Sequence, residues 1–156
     1  MTSFRIESQI RFGRSIVRMH ASSAAFGWAW LASVMLLALH VVDEAAHDFL
    51  SVYNPNARRI RRALGGIPFP PVFTFRAFLA VLFAAVALLA ALTPFAFDGA
   101  AWIRPLAWIF GIVEAANGTA HLAESAIMRR RLPGFLSAPF VLLGAIWLLI
   151  ETARLP

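Results

Sequence analysis

The 156-residue chain has no cysteine and no lysine, one tyrosine, and only 14% charged residues. Without cysteine there is no disulfide framework, no thiolate metal site and no thiol nucleophile, and the composition carries no sign of the redox compartment. Any metal would have to be held by histidine and carboxylate. The scarcity of charge accompanies 60% hydrophobic residues and a mean hydropathy of +0.73, which is far from the balance of an ordinary soluble domain. The composition reads as an integral membrane protein.

What charge there is has one dominant form. All 14 basic residues are arginine, giving a formal charge of +6. They gather at the ends of apolar runs instead of forming a stripe along one surface, a pattern that suits lipid head groups and not nucleic acid.

At this length the chain holds about four spans of roughly 20 residues, so the expected fold is all-α: a four-transmembrane-helix bundle preceded by an N-terminal amphipathic interfacial segment. Residues 1–22 alternate Arg5, Arg11, Arg14 and Arg18 with Phe4, Ile6, Ile10, Phe12, Ile16 and Val17, as a basic amphipathic segment on an anionic membrane does. The apolar run that follows continues directly into a polar cluster, which argues against a cleaved signal. The expected spans are 24–52, stopped by Asn54-Pro55, then 72–94, 104–128 and 136–153. Between the first two, "NPNARRIRRALGGIPFPP" reads as an interfacial loop. Trp28, Trp30, Trp102, Trp108 and Trp147 fall near span ends, where interfacial anchors are expected.

Two polar stripes interrupt these spans. In "LALHVVDEAAHDFL", His40, Asp43, Glu44 and His47 are separated by three, four and seven residues, which puts them on one face at about 100° per residue. In "VEAANGTAHLAES", Glu114, Asn117 and His121 form a similar stripe, with Glu124 at its edge. Spans one and three run parallel in an up-down-up-down bundle, so the stripes are expected to meet at similar depth. A charge at the bilayer centre costs at least about 2.5 to 3.5 kcal/mol. The stripes should therefore face each other and not lipid.

Three imidazoles and several carboxylates at one depth are a ligand set for zinc, iron or manganese, in a mononuclear or dinuclear site. The expected ligands are His40, Glu44, His47, Glu114 and His121. Asp43, Asn117 and Glu124 are the expected partners that orient the imidazoles, and His20 is expected to contact head groups. Glu44-x-x-His47 has the spacing of di-iron bundle motifs, although the second and fourth spans offer no internal carboxylate to complete such a site. On this reading the protein is a metalloenzyme acting on a lipophilic substrate, with Glu44 and Glu114 as its catalytic carboxylates. The alternative is a metal-free acid/base isomerase or cyclase of sterol- or isoprenoid-like lipids at the same residues. An ion or proton pathway is a third reading, and the almost wholly apolar N-terminal halves of both spans count against it.

The motif "HVVDE" resembles the His-x-x-Glu-Glu motif of the HXXEE family of small bacterial membrane proteins. Downstream, "NGTAHLAESAIMRRRLPGFLSAPFVLLGAIWLL" is similar to that family's second block: an Asn, a His four residues on, a basic stretch, Pro-Gly and a final apolar span. The resemblance covers most of residues 36–150 and implies a site at His40, Glu44, Asn117 and His121, in a protein of the bacterial inner membrane. Asp43 stands where the family usually has Glu, keeping the carboxylate but shortening it by one methylene. No activity comes with the resemblance.

Overall fold

The computed structural model describes residues 2–155, with side chains from Ser22 to Leu155. Six helices follow one another: α1 Thr2–Ala46, α2 Phe49–Ala63, α3 Phe75–Ala91, α4 Thr93–Phe97, α5 Ile103–Met128 and α6 Ala138–Arg154. The amphipathic pattern of residues 1–22 and the contact of His20 involve side chains outside the described residues.

Each boundary has a local cause. The helix α1 ends where Asp48 adopts a left-handed conformation, φ 54° and ψ 51°, which Asp tolerates better than most side chains. At the start of α3, Thr74 caps the helix by accepting from the Ala77 N–H at 3.3 Å. The helix α3 does not continue past Ala91, because Pro94 opens the separate short helix α4. The C-terminus of α5 is closed by Arg129 at φ 51°. Ser137 then precedes α6, with Pro139 in its first turn.

These features correct the four-span expectation. Among the described residues one segment, Ser22–Ala46 within α1, is long and apolar enough to cross a membrane. The helices α3 and α6 have 17 residues each, about 25 Å at 1.5 Å per residue against a hydrocarbon thickness of about 30 Å. In α5 the stripe of Glu114, Asn117 and His121 lowers the hydropathy of an otherwise sufficient length. The first run is also not continuous to residue 52, since the chain turns at His47 and Asp48. Asn54-Pro55 is not a stop: Pro55 lies inside α2. Asn54 instead pairs with the backbone of Phe73, donating to its carbonyl at 2.9 Å and accepting from its N–H at 3.1 Å.

The core is built around α1. Phe26, Ala29, Trp30, Val34, Leu37 and Val41 are buried against Ala96 of α4, Ile103, Ala107 and Phe110 of α5, and Leu148 of α6, with Leu79, Leu82, Val86 and Leu89 of α3 packed alongside. Trp30 is therefore a core residue and not an interfacial anchor: it is fully buried, and its indole N–H donates to the Leu89 carbonyl at 3.0 Å. Ser33 Oγ lies 3.1 Å from the Gly144 carbonyl of α6. A β-carbon at Gly144 would come within 2.6 Å of Leu36 Cδ1, so a larger residue here would require the Leu36 side chain to shift. The outward faces remain apolar, with Phe83 and Leu88 of α3, Ile109 and Ile112 of α5, and Leu143 and Ile150 of α6 all exposed.

Candidate metal centre

The C-terminal part of α1 carries His40 and Glu44 one helical turn apart, on the face that the core pattern already turns inward. Across from them, α5 supplies His121. All three residues are buried, and one ligand atom from each lies within 4.8 Å of the other two. Glu44 Oε1 is shared: it is 3.2 Å from His121 Nε2 and 3.6 Å from His40 Nε2. The two imidazole rings meet edge to face, with centroids 4.8 Å apart.

The tautomer of His40 follows from its other neighbour. Ser137 Oγ lies 2.7 Å from His40 Nδ1 and 2.6 Å from Asp43 Oδ2, and the Ser137 N–H also donates to Asp43 Oδ2 at 3.0 Å. A hydroxyl has one proton, and an ionised carboxylate only accepts. Ser137 therefore donates to Asp43 and accepts from Nδ1–H of His40. The remaining ring nitrogen, Nε2, keeps its lone pair directed at the buried cluster, where it has no hydrogen-bond partner. An imidazole fixed through one nitrogen with the other free is the arrangement of a metal ligand.

Gly134 forms the cover of the site. Its φ is +82°, and a β-carbon there would lie 2.7 Å from His121 Cε1 and 2.9 Å from His40 Cε1. The Pro133-Gly134 turn thus lies directly on both rings. Phe49, the first residue of α2, forms another wall, 5.8 Å from His121 and stacked against Tyr53 and Phe78 at 5.4 and 5.6 Å.

Glu114 is buried about two turns before His121 on α5, hydrogen-bonded by the Asn117 side chain and within electrostatic reach of Glu44 and His121. Its Oε2 has no hydrogen-bond partner. Two buried carboxylates and two imidazoles thus share one region. The ion pairs that reach the cluster carboxylates among the described residues bring no arginine to them, since Glu44 is paired only with His40 and His121. Buried carboxylates without a cationic partner are costly. A cation or protons must balance them.

The remaining sequence candidates lie elsewhere. His47 sits beyond the end of α1 with its side chain 53% exposed, and its Nδ1 contacts Asp43 Oδ1 at 2.9 Å. Asp43 touches His40 only through Ser137. Glu124 is exposed and, with Asn117, borders a cavity of about 240 Å³. That cavity runs between α2 and α5, along Phe49, Val52, Tyr53 and Ile60, and reaches His121. Burial raises the Tyr53 phenol above its ordinary pKa. Ser137 and Gly134 are the contributors that the sequence reading did not single out. A serine just before Ala-Pro marks a helix start, but nothing local says that its hydroxyl serves an imidazole on α1.

No curated protein and no solved structure matches the chain significantly. Residues 30–148 match the family described as proteins of unknown function with an HXXEE motif. The match spans more than two thirds of the chain and includes every residue of the buried cluster, so the chain belongs to the HXXEE family.

Proposed function

We propose, for this member of the HXXEE family, that His40, Glu44 and His121 bind one divalent transition metal, and that the resulting centre acts on a neutral lipophilic substrate within a membrane. The observation that carries this reading is the His40 Nε2 lone pair, which faces a carboxylate oxygen in a buried site with no proton donor between them. Two imidazoles and one carboxylate are a common catalytic ligand set for zinc and also suit iron and manganese. The bound ion would supply Lewis acidity at the end of the cavity.

The chain's own residues divide the remaining tasks. His40 is held by Ser137, His121 is held under Gly134, and Glu44 bridges toward both imidazoles. Glu114, with one oxygen unpartnered and the carboxylate steadied by Asn117, is the group placed to take or return a substrate proton. The cavity lining is mainly apolar and contains a carboxylate, Glu124, but no arginine. This favours a neutral lipophile over a phosphate ester. Membrane placement is supported by the apolar segment Ser22–Ala46 and by the exposed apolar side chains on the outer faces of α3, α5 and α6.

The test is cobalt(II) titration of the detergent-purified chain. Visible absorption saturating at one equivalent, and absent from His121→Ala, is the expected result. Saturable binding that survives His121→Ala would remove the proposed ligand set. Absence of any binding would turn the same carboxylates and imidazoles toward metal-free proton transfer.

A further inference from the structure

The two faces of α2 differ completely. Phe49, Val52, Tyr53, Asn56 and Ile60, spaced by three and four residues, line the cavity that leads to His121. Arg58, Arg61 and Arg62 occupy the opposite face and, with Gly66, surround an open concavity of about 390 Å³. The turn that ends the helix brings Gly66 back toward them: its N–H donates to the Arg61 carbonyl at 2.8 Å, with Gly65 and Gly66 at φ +74° and +89°.

Among the described residues nothing neutralises this cluster. None of the three arginines is in an ion pair among the described residues. Basic residues in a last helical turn are favoured by the helix dipole. That accounts for arginine near a C-terminus, but not for three guanidinium groups around one concavity. Immediately beyond them Leu64, Ile67 and Phe69 are 51%, 56% and 67% exposed. Cationic groups beside unpartnered apolar side chains, a short distance along the chain from the polar end of the apolar segment Ser22–Ala46, form a surface with the two halves of a membrane interface.

We propose that Arg58, Arg61 and Arg62 form a head-group site for an anionic phospholipid, with Leu64, Ile67 and Phe69 seated among its acyl chains. Guanidinium groups bind phosphate oxygens in a bidentate manner, and the concavity presents three of them. The site is separate from the metal-binding reading, because it uses none of the cluster residues. It does, however, place the bound lipid on the outer face of the helix whose inner face lines the cavity.

The test is native mass spectrometry of the full chain released from detergent, with phosphatidylglycerol, phosphatidylcholine or inorganic phosphate added. The wild type should retain phosphatidylglycerol at least about 10-fold more strongly than phosphatidylcholine. R58Q/R61Q/R62Q should lose that preference, and R61Q alone should lose part of it. R129Q/R130Q/R131Q, which alters the other arginine run, should keep it. Equal retention of both lipids by the wild type, or a preference that survives R58Q/R61Q/R62Q in protein of unchanged helicity, would overturn the proposal. So would displacement of the lipid by millimolar inorganic phosphate, which would mark a site for free anions.

Discussion

His40 Nε2 faces Glu44 Oε1 at 3.6 Å with no proton to share, because the single N–H of the ring is directed away from it, to Ser137. Two acceptors held this close in a buried site repel unless a positive charge joins them. The motif carboxylate Asp43 does not join the cluster. It holds Ser137, which in turn sets the tautomer of His40. Asp43 is thereby a positioning residue, and its shorter side chain is long enough for that contact.

Ser137→Ala removes the link between Asp43 and Nδ1 without touching any proposed ligand. Metal affinity, measured by competition with a chromophoric chelator, should fall by about 10- to 100-fold. Ser137→Thr should restore most of it. Equal affinity in wild type and Ser137→Ala would mean that the tautomer is not set this way.

His47→Ala distinguishes the spacing of the motif from its geometry. The His47–Asp43 pair is largely exposed on the histidine side, and such pairs contribute about 0 to 1 kcal/mol. Stability and metal stoichiometry should stay within error of wild type. Loss of the ion in this variant would put His47 in the ligand set despite its exposed position.

The i,i+4 spacing of His40 and Glu44 on α1, and the stripe of Glu114, Asn117 and His121 on α5, made the buried cluster legible, because side chains three, four and seven residues apart share a face wherever the helix persists. The same rule misplaces His47, since α1 ends at Ala46 and the turn at Asp48 carries the imidazole outward. The helix α2 was hidden by Asn54-Pro55 and by the Gly-Gly pair, which suggest a loop. In the folded chain Asn54 is engaged by Phe73, and the glycines form only the helix terminus. Hydropathy alone suggested four spans, but it does not register where a helix stops, and α3 is cut short ahead of Pro94. Ser137 and Gly134 reach the site through tertiary contacts that no local pattern encodes.

Gly134→Ala combines backbone strain at φ +82° with a clash against both imidazoles. A non-glycine residue there should destabilise the protein by more than about 1 kcal/mol and lower the metal content. Thermal unfolding in detergent and metal analysis check the two effects. A variant with wild-type stability and full occupancy would show that the cover is not tight.

Removal of the ion should destabilise the folded chain, because binding to the native state alone contributes about 2.7 kcal/mol when free ligand is 100 times Kd. Treatment with a chelator should therefore lower the Tm of the wild type and leave that of His40→Ala unchanged. An identical shift in both would trace the effect to something other than the cluster.

The most direct test of the central claim is elemental analysis of the detergent-purified protein beside His40→Ala and His121→Ala. One transition metal per chain in the wild type, absent from both variants, is the result predicted by a centre built from His40, Glu44 and His121. A wild-type protein that takes up no zinc, iron or manganese even after loading, or variants that keep the ion, would contradict it.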